Sequence, residues 1–158
     1  MNLSKVIFVG FVVISSWVGG YSVMAADMPK GVVKFSEREG GTGDSCSLPT
    51  DKDGYYDMQY YGCKNDQMTY FQLDNVPSAT TIRFESERCD GSTQEWNFEI
   101  KTIIHPITTR WVNLEELKSI PEGSVAVRGV VLVKKKTNTS VPIKGKLSCV
   151  RTKPSAQP

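Results

Sequence analysis

The one histidine, His105, is the only side chain of this 158-residue sequence whose ordinary pKa suits proton transfer near neutral pH. It stands before Pro106 after the apolar stretch Thr102-Ile103-Ile104, a setting that reads as a turn or loop rather than a general base. No G-x-S-x-G elbow supplies a serine nucleophile. The neighbouring carboxylates Glu115 and Glu116 read as the acidic first turn of a helix, where negative charge complements the helix dipole. The inventory therefore points away from an enzyme, and no catalytic residue is assigned.

Binding has better raw material. Asp53-Gly54-Tyr55-Tyr56-Asp57-Met58-Gln59-Tyr60-Tyr61-Gly62 packs four tyrosines into seven residues. As a strand it would place Tyr56, Met58 and Tyr60 on a core face and Tyr55, Asp57, Gln59 and Tyr61 on an outer one. Rings beside Asp and Gln offer rigid apolar area with a hydrogen-bonding tip, a surface suited to a protein or glycan partner. The other reading buries both faces between a sheet and a loop. A second candidate is the lysine run Lys134, Lys135 and Lys136, with Lys144 and Lys146 beyond it. These five are either a basic binding face or the edge protection that keeps strands from pairing with other chains.

The charge distribution sharpens that choice. Residues 27–100 carry a formal charge of −7 and residues 101–158 one of +8. Either the two halves fold against each other and cancel, or the basic half presents a face to an anionic partner. Without aromatics among the lysines, nucleic-acid binding is not expected.

An export signal frames the cysteines. Lys5 precedes an apolar run from Val6 to Val18, and Val23-Met24-Ala25 supplies small residues at a cleavage site, the pattern of a signal peptide over 1–25. The run is too short and broken for a membrane span. The expected destination is periplasmic or extracellular. Cys46, Cys63, Cys89 and Cys149 all follow the cut, and an even number in an oxidising compartment reads as two disulfides, with three pairings open. No C-x-x-C pair and a single His leave no zinc pattern, so no metal site is assigned.

The elements that position these groups are strands. Gly31–Arg38 puts Val33 and Phe35 on one face. Thr81–Glu87 puts Ile82 and Phe84 inward and Thr81, Arg83 and Glu85 outward. Glu95–Lys101 alternates Trp96, Phe98 and Ile100 with Asn97, Glu99 and Lys101. Ser124–Lys136, a turn at Thr137-Asn138-Thr139-Ser140, and a return through Val141, Ile143, Leu147 and Cys149 predict a C-terminal hairpin with Lys144 and Lys146 outward. Asn113-Leu114-Glu115-Glu116 has capping-box spacing and predicts one helix of about two turns, stopped by Pro121 and Gly123. The fold class is all-β: a single disulfide-braced sandwich or Greek-key domain over 26–151 with one short helix, followed by a disordered tail over 152–158.

Phe35, Glu37, Gly40 and Gly43, followed by Thr80-Thr81-Ile82-Arg83-Phe84, resemble a βγ-crystallin Greek-key motif over residues 34–84. The resemblance implies a folded first hairpin and a closing strand whose Thr81 hydroxyl bonds back to it. It also implies calcium at Asp74-Asn75 ahead of Thr80-Thr81, with about two residues more between them than the family spacing. The residues on their own require no cofactor. The expectation is a small exported, monomeric binding or inhibitor module that presents Tyr55 and Tyr61, or the lysine hairpin, to a protein or glycan. The alternative is a structural or stress-protective secreted domain, and a hydrolase stands third.

Overall fold

Period-two alternation of apolar and polar residues sets most of the strands, and each buries its apolar face against a second sheet. The computed structural model describes residues 30–138 and 140–155; the expected signal segment and residues 156–158 lie outside them. In chain order the strands are β1 (Val32–Arg38), β2 (Thr42–Pro49), β3 (Gly54–Asp57), β4 (Tyr70–Asp74), β5 (Thr81–Glu85), β6 (Asn97–Thr102), β7 (Val112–Asn113), β8 (Val125–Val127), β9 (Val130–Lys136) and β10 (Cys149–Lys153), with helix α1 (Glu116–Ser119) between β7 and β8. They form a four-stranded sheet, β2-β1-β4-β7, and a six-stranded sheet, β3-β10-β5-β6-β9-β8. Every pairing is antiparallel. The all-β, sandwich-like class with one short helix and two disulfides is as the sequence predicts.

The core lies between the sheets. Phe35 of β1 meets Phe84 of β5 edge to face at 6.0 Å, and Phe71 of β4 lies 4.8 Å from the same ring. Trp96 and Phe98 extend the cluster, and all five rings are fully buried. Such rings contribute about 0.5–1.5 kcal/mol per pair beyond their area burial. The capping box forms as expected. Asn113 Oδ1 accepts from the Glu115 N–H at 2.9 Å, and Glu116 Oε1 accepts from the Asn113 N–H at 3.3 Å. The helix is a single turn, with Leu117 buried. The first hairpin turns through Glu39–Gly41, where Gly41 adopts φ +80 against the Trp111 ring; a Cβ there would sit 2.6 Å from Trp111 Cζ2.

The disulfides are Cys46–Cys63 and Cys89–Cys149. The second explains why the C-terminal hairpin differs from expectation. The hairpin is β8–β9, closed at Arg128-Gly129, and the segment that includes Val141, Ile143 and Leu147 does not return along β9. Both edges of β9 are already taken, by β6 and β8. The chain crosses instead to β10, which inserts between β3 and β5, with Cys149 opposite Glu85 and bonded to Cys89 just beyond β5. The strand also runs into the expected tail: Thr152 is buried and pairs with Gly54 and Ile82, and Lys153 pairs with Thr81.

Two further expectations change. The tyrosine segment is a strand only over Gly54–Asp57, because Asp57 Oδ1 accepts from the Gln59 N–H at 3.3 Å and turns Met58–Tyr60 into a 3-10 helix. Tyr56 and Met58 enter the core, whereas Tyr60 swings out and is 69% exposed. Glu85 is completely buried rather than on an open outer face. Thr81 lies in β5 of the six-stranded sheet, whose partners are β6 and β10, and not against the first hairpin.

Candidate binding face

Antiparallel register lines up the outward residues of successive strands into rows across the six-stranded sheet. Tyr55 of β3 stands opposite Arg151 of β10, Arg151 opposite Arg83 of β5, Arg83 opposite Glu99 of β6, and Glu99 opposite Lys134 of β9. Four inter-strand steps give this row a span of about 19 Å. A parallel row carries Lys153, Thr81, Lys101, Val131 and Val125. Tyr55 and Val125, at opposite edges, are 58% and 59% exposed. Lys101, Lys134 and Lys153 are exposed as well.

Beneath the first row lies an ionic knot. Glu85 Oε2 accepts from Arg151 Nε at 3.1 Å, and Glu85 Oε1 lies 2.9 Å from Arg83 Nε. The latter contact is an ion pair and not a hydrogen bond, since the Arg83 N–H is not aimed along it. The two arginine side chains are about one-third exposed, and Arg151 also lies over the Tyr55 ring at 4.5 Å. Tyr55, Arg83, Glu99, Arg151, Lys153 and Asp53 line a shallow depression of about 410 Å³. The chemistry available there is recognition: guanidinium forks for an oxyanion, an aromatic ring for an apolar face, and carboxylates at the margins for hydroxyls or cations.

The residues singled out in the sequence are divided by the fold. Tyr55 is on the outer face, but Tyr61 packs edge-on against the core-side Tyr56 at 5.0 Å, so these two exposed tyrosines do not share a face. Tyr60 joins a separate cluster: its hydroxyl accepts from Arg88 Nη2 at 2.8 Å, while Arg88 Nε donates to Asp57 at 3.0 Å. Those contacts raise the Arg88 pKa, the Asp57 hydrogen bond foremost.

The lysine run alternates in the same way. Lys134 faces outward opposite Glu99. Lys135 Nζ donates to the carbonyls of Lys118 and Ile120 at 2.8 and 2.7 Å, satisfying groups at the end of α1, and Lys136 Nζ donates to Gln94 O at 2.6 Å. Of the three, Lys135 and Lys136 are therefore engaged with the backbone. Lys144 and Lys146 are exposed on the connection to β10, and Lys144 borders a second depression of about 690 Å³ with Glu37, Asp66 and Tyr70.

Arg83, Arg151, Glu99, Lys101 and Lys153 were not singled out as binding residues by sequence reasoning. The alternation of β5 and β6 does mark Arg83, Glu99 and Lys101 as outward, but only the register brings Arg151 beside Arg83. Asp74, half of the implied calcium pair, holds an ion pair with Lys34 at 2.7 Å and accepts from the Thr108 hydroxyl at 3.2 Å. The Lys34 contact is the main reason its carboxyl lies below the usual range. His105 is an exposed loop residue whose Nδ1 accepts from the Ser78 N–H at 3.3 Å. Among the described residues no helix is long and apolar enough to cross a membrane.

No family model, curated protein or solved structure matches this chain.

Proposed function

We propose that this chain is an exported, non-enzymatic binding module that meets its partner with the outer face of the six-stranded sheet. The observation that carries the reading is the row Tyr55–Arg151–Arg83–Glu99–Lys134, in which the exposed tyrosine and the outward lysine of two sequence-distant segments lie on one surface. The C-terminal basic excess supports it, because Lys101, Lys134, Arg151 and Lys153 all belong to that face. A surface of this kind steers an anionic partner at low salt and orders its approach. Two disulfides are consistent with an oxidising compartment, and the signal-like N-terminus narrows this to the periplasm or the exterior.

The test is affinity capture with the disulfide-bonded protein at low and physiological salt. A Tyr55→Ala/Lys101→Glu/Lys134→Glu variant is compared with a Lys144→Glu/Lys146→Glu control. The expected result is a species retained by the parent and the control and lost with the face variant, at unchanged melting temperature. Retention by all three removes this face from the function.

A further inference from the structure

The Arg83–Arg151 pair is preorganised in a way that a simple basic patch is not. Glu85 is fully buried and engages both guanidiniums on their Nε side. Tyr55 stacks on Arg151 at 4.5 Å and limits it from a second direction. Among the described residues, the Nη atoms of Arg83 and Arg151 make no hydrogen bond within the protein, and both residues line the outer depression. The hydrogen bond to Glu85 holds the Arg151 guanidinium by its Nε edge and leaves the other edge as a planar fork, the geometry that receives a carboxylate with two parallel hydrogen bonds, while the ion pair with the same carboxylate keeps Arg83 beside it. Much of the ordering cost of a ligand contact is thereby met in advance.

The surroundings select among anions. Glu99 flanks the pair on the β6 side and Asp53 on the β3 side, so the three cations Arg83, Arg151 and Lys153 are matched by Glu85, Asp53 and Glu99. A polyphosphate or nucleic acid seated in the depression would meet those two marginal carboxylates and lose part of what the cations give it. A ligand with one carboxylate amid hydroxyls would engage the forks and also donate to Asp53 and Glu99. Tyr55, more than half exposed, offers the remaining ring surface to the C–H face of a sugar. The depression, at about 410 Å³, is of a size that accepts one or two sugar units.

We infer that Arg83, Arg151 and Tyr55 form a subsite for a single hexuronate unit of an acidic glycan. The inference rests on the outer sheet face being the binding surface and names the ligand class at its β3–β10–β5 end. Arg83 and Arg151 hold the carboxylate, Tyr55 covers the ring, and Asp53 and Glu99 take its hydroxyls.

Isothermal titration calorimetry of the disulfide-bonded protein at low salt separates the contributions. Three probes are used: a hexuronate trisaccharide, its fully methyl-esterified form, and a triglutamate peptide. The free-acid trisaccharide is expected to bind, with the ester and the peptide each at least tenfold weaker. Arg83→Lys/Arg151→Lys keeps two positive charges over Glu85 but removes both forks, and should weaken the trisaccharide at least tenfold. Tyr55→Ala should weaken it several-fold, and a melting temperature close to the parent's would show both variants folded. Equal binding of acid and ester, triglutamate binding as tightly as the sugar, an unaffected Lys/Lys variant, or no trisaccharide binding would each overturn the inference. If the trisaccharide fails while a captured partner is still lost with the face variant above, the hexuronate assignment falls and the binding face stands. If capture fails too, the face itself is wrong.

Discussion

At the level of single residues, Glu85 is a fully buried carboxylate. A carboxylate out of water is tolerable only with compensating charge, and the arginines that provide it are about one-third exposed. The asymmetry gives a prediction. Glu85→Gln should cost only about 1 kcal/mol, because the released guanidiniums rehydrate and the amide oxygen still accepts a hydrogen bond. Arg83→Met/Arg151→Met should cost about 3 kcal/mol, because the carboxylate is left buried and uncompensated. Denaturant midpoints of the two variants test the order, and a larger loss for Glu85→Gln would contradict it. The acid limb of stability has a separate origin. Asp74 lies below its ordinary pKa chiefly through its hydrogen bond to Lys34, and Glu116 chiefly through Arg110. With folded values below unfolded ones, the unfolded chain takes up more protons as pH falls, so this stability is complete above about pH 5, begins to fall near the unfolded values of about 4 and is lost as pH drops through the lower folded ones. Both pairs are well exposed, so the effect is small. Asp74→Asn/Glu116→Gln should flatten part of the fall in melting temperature between about pH 5 and pH 2 and leave the neutral region level.

At the scale of elements, the two disulfides do unequal work. Cys46–Cys63 spans 17 residues within the N-terminal part, whereas Cys89–Cys149 spans 60 and fixes β10 beside β5. Loop-closure entropy makes the longer bridge worth about 1 kcal/mol more. The Cys89→Ala/Cys149→Ala pair should therefore lower the unfolding free energy more than Cys46→Ala/Cys63→Ala, measured under identical non-reducing conditions. Removal of the longer bridge should also expose Arg151 to proteolysis before any site in β1. The strands that alternate cleanly, β1, β5 and β6, were legible because each carries a pair of apolar residues on its inward face, Val33 and Phe35, Ile82 and Phe84, and Phe98 and Ile100. β10 was not: Cys149-Val150-Arg151-Thr152-Lys153 buries Thr152 and places Arg151 outward, and nothing local distinguishes it from an unstructured tail. The tyrosine segment misled for a related reason. Its alternation holds through Tyr56 and Met58, but the Asp57 cap breaks the strand and reverses the sense of Tyr60.

For the whole molecule, the charge asymmetry is cancelled in part by pairing between the halves, and in part left on one face of the sandwich. Arg151, from the basic half, neutralises Glu85 from the acidic half, and Lys134 faces Glu99. Lys101, Lys153 and Lys134 nevertheless stay exposed on one side of the sandwich. Tyr55 and Tyr61 should separate accordingly. Tyr61→Ala removes the edge-on contact with Tyr56 and should cost about 1 kcal/mol while leaving partner capture intact. Tyr55→Ala should leave the melting temperature nearly unchanged and weaken capture. Thermal unfolding and capture on the same two proteins check this, and loss of capture with Tyr61→Ala alone would move the surface to the core-side edge.

Fold class, the presence of two disulfides without their pairing, the capping box at Asn113–Glu116 and the outward position of Arg83 and Glu99 could all be read along the chain. These depend on local periodicity, local hydrogen bonding or a count, all of which a linear chain displays. Folding in three dimensions set the entry of β10 between β3 and β5, the separation of Tyr55 from Tyr61, and the role of Lys135 at the end of α1. Above all it decided that Arg83 and Arg151, far apart in sequence, share one buried carboxylate. Antiparallel register is a relation between distant strands, set by which core faces and which sulfurs meet, and no single segment encodes it.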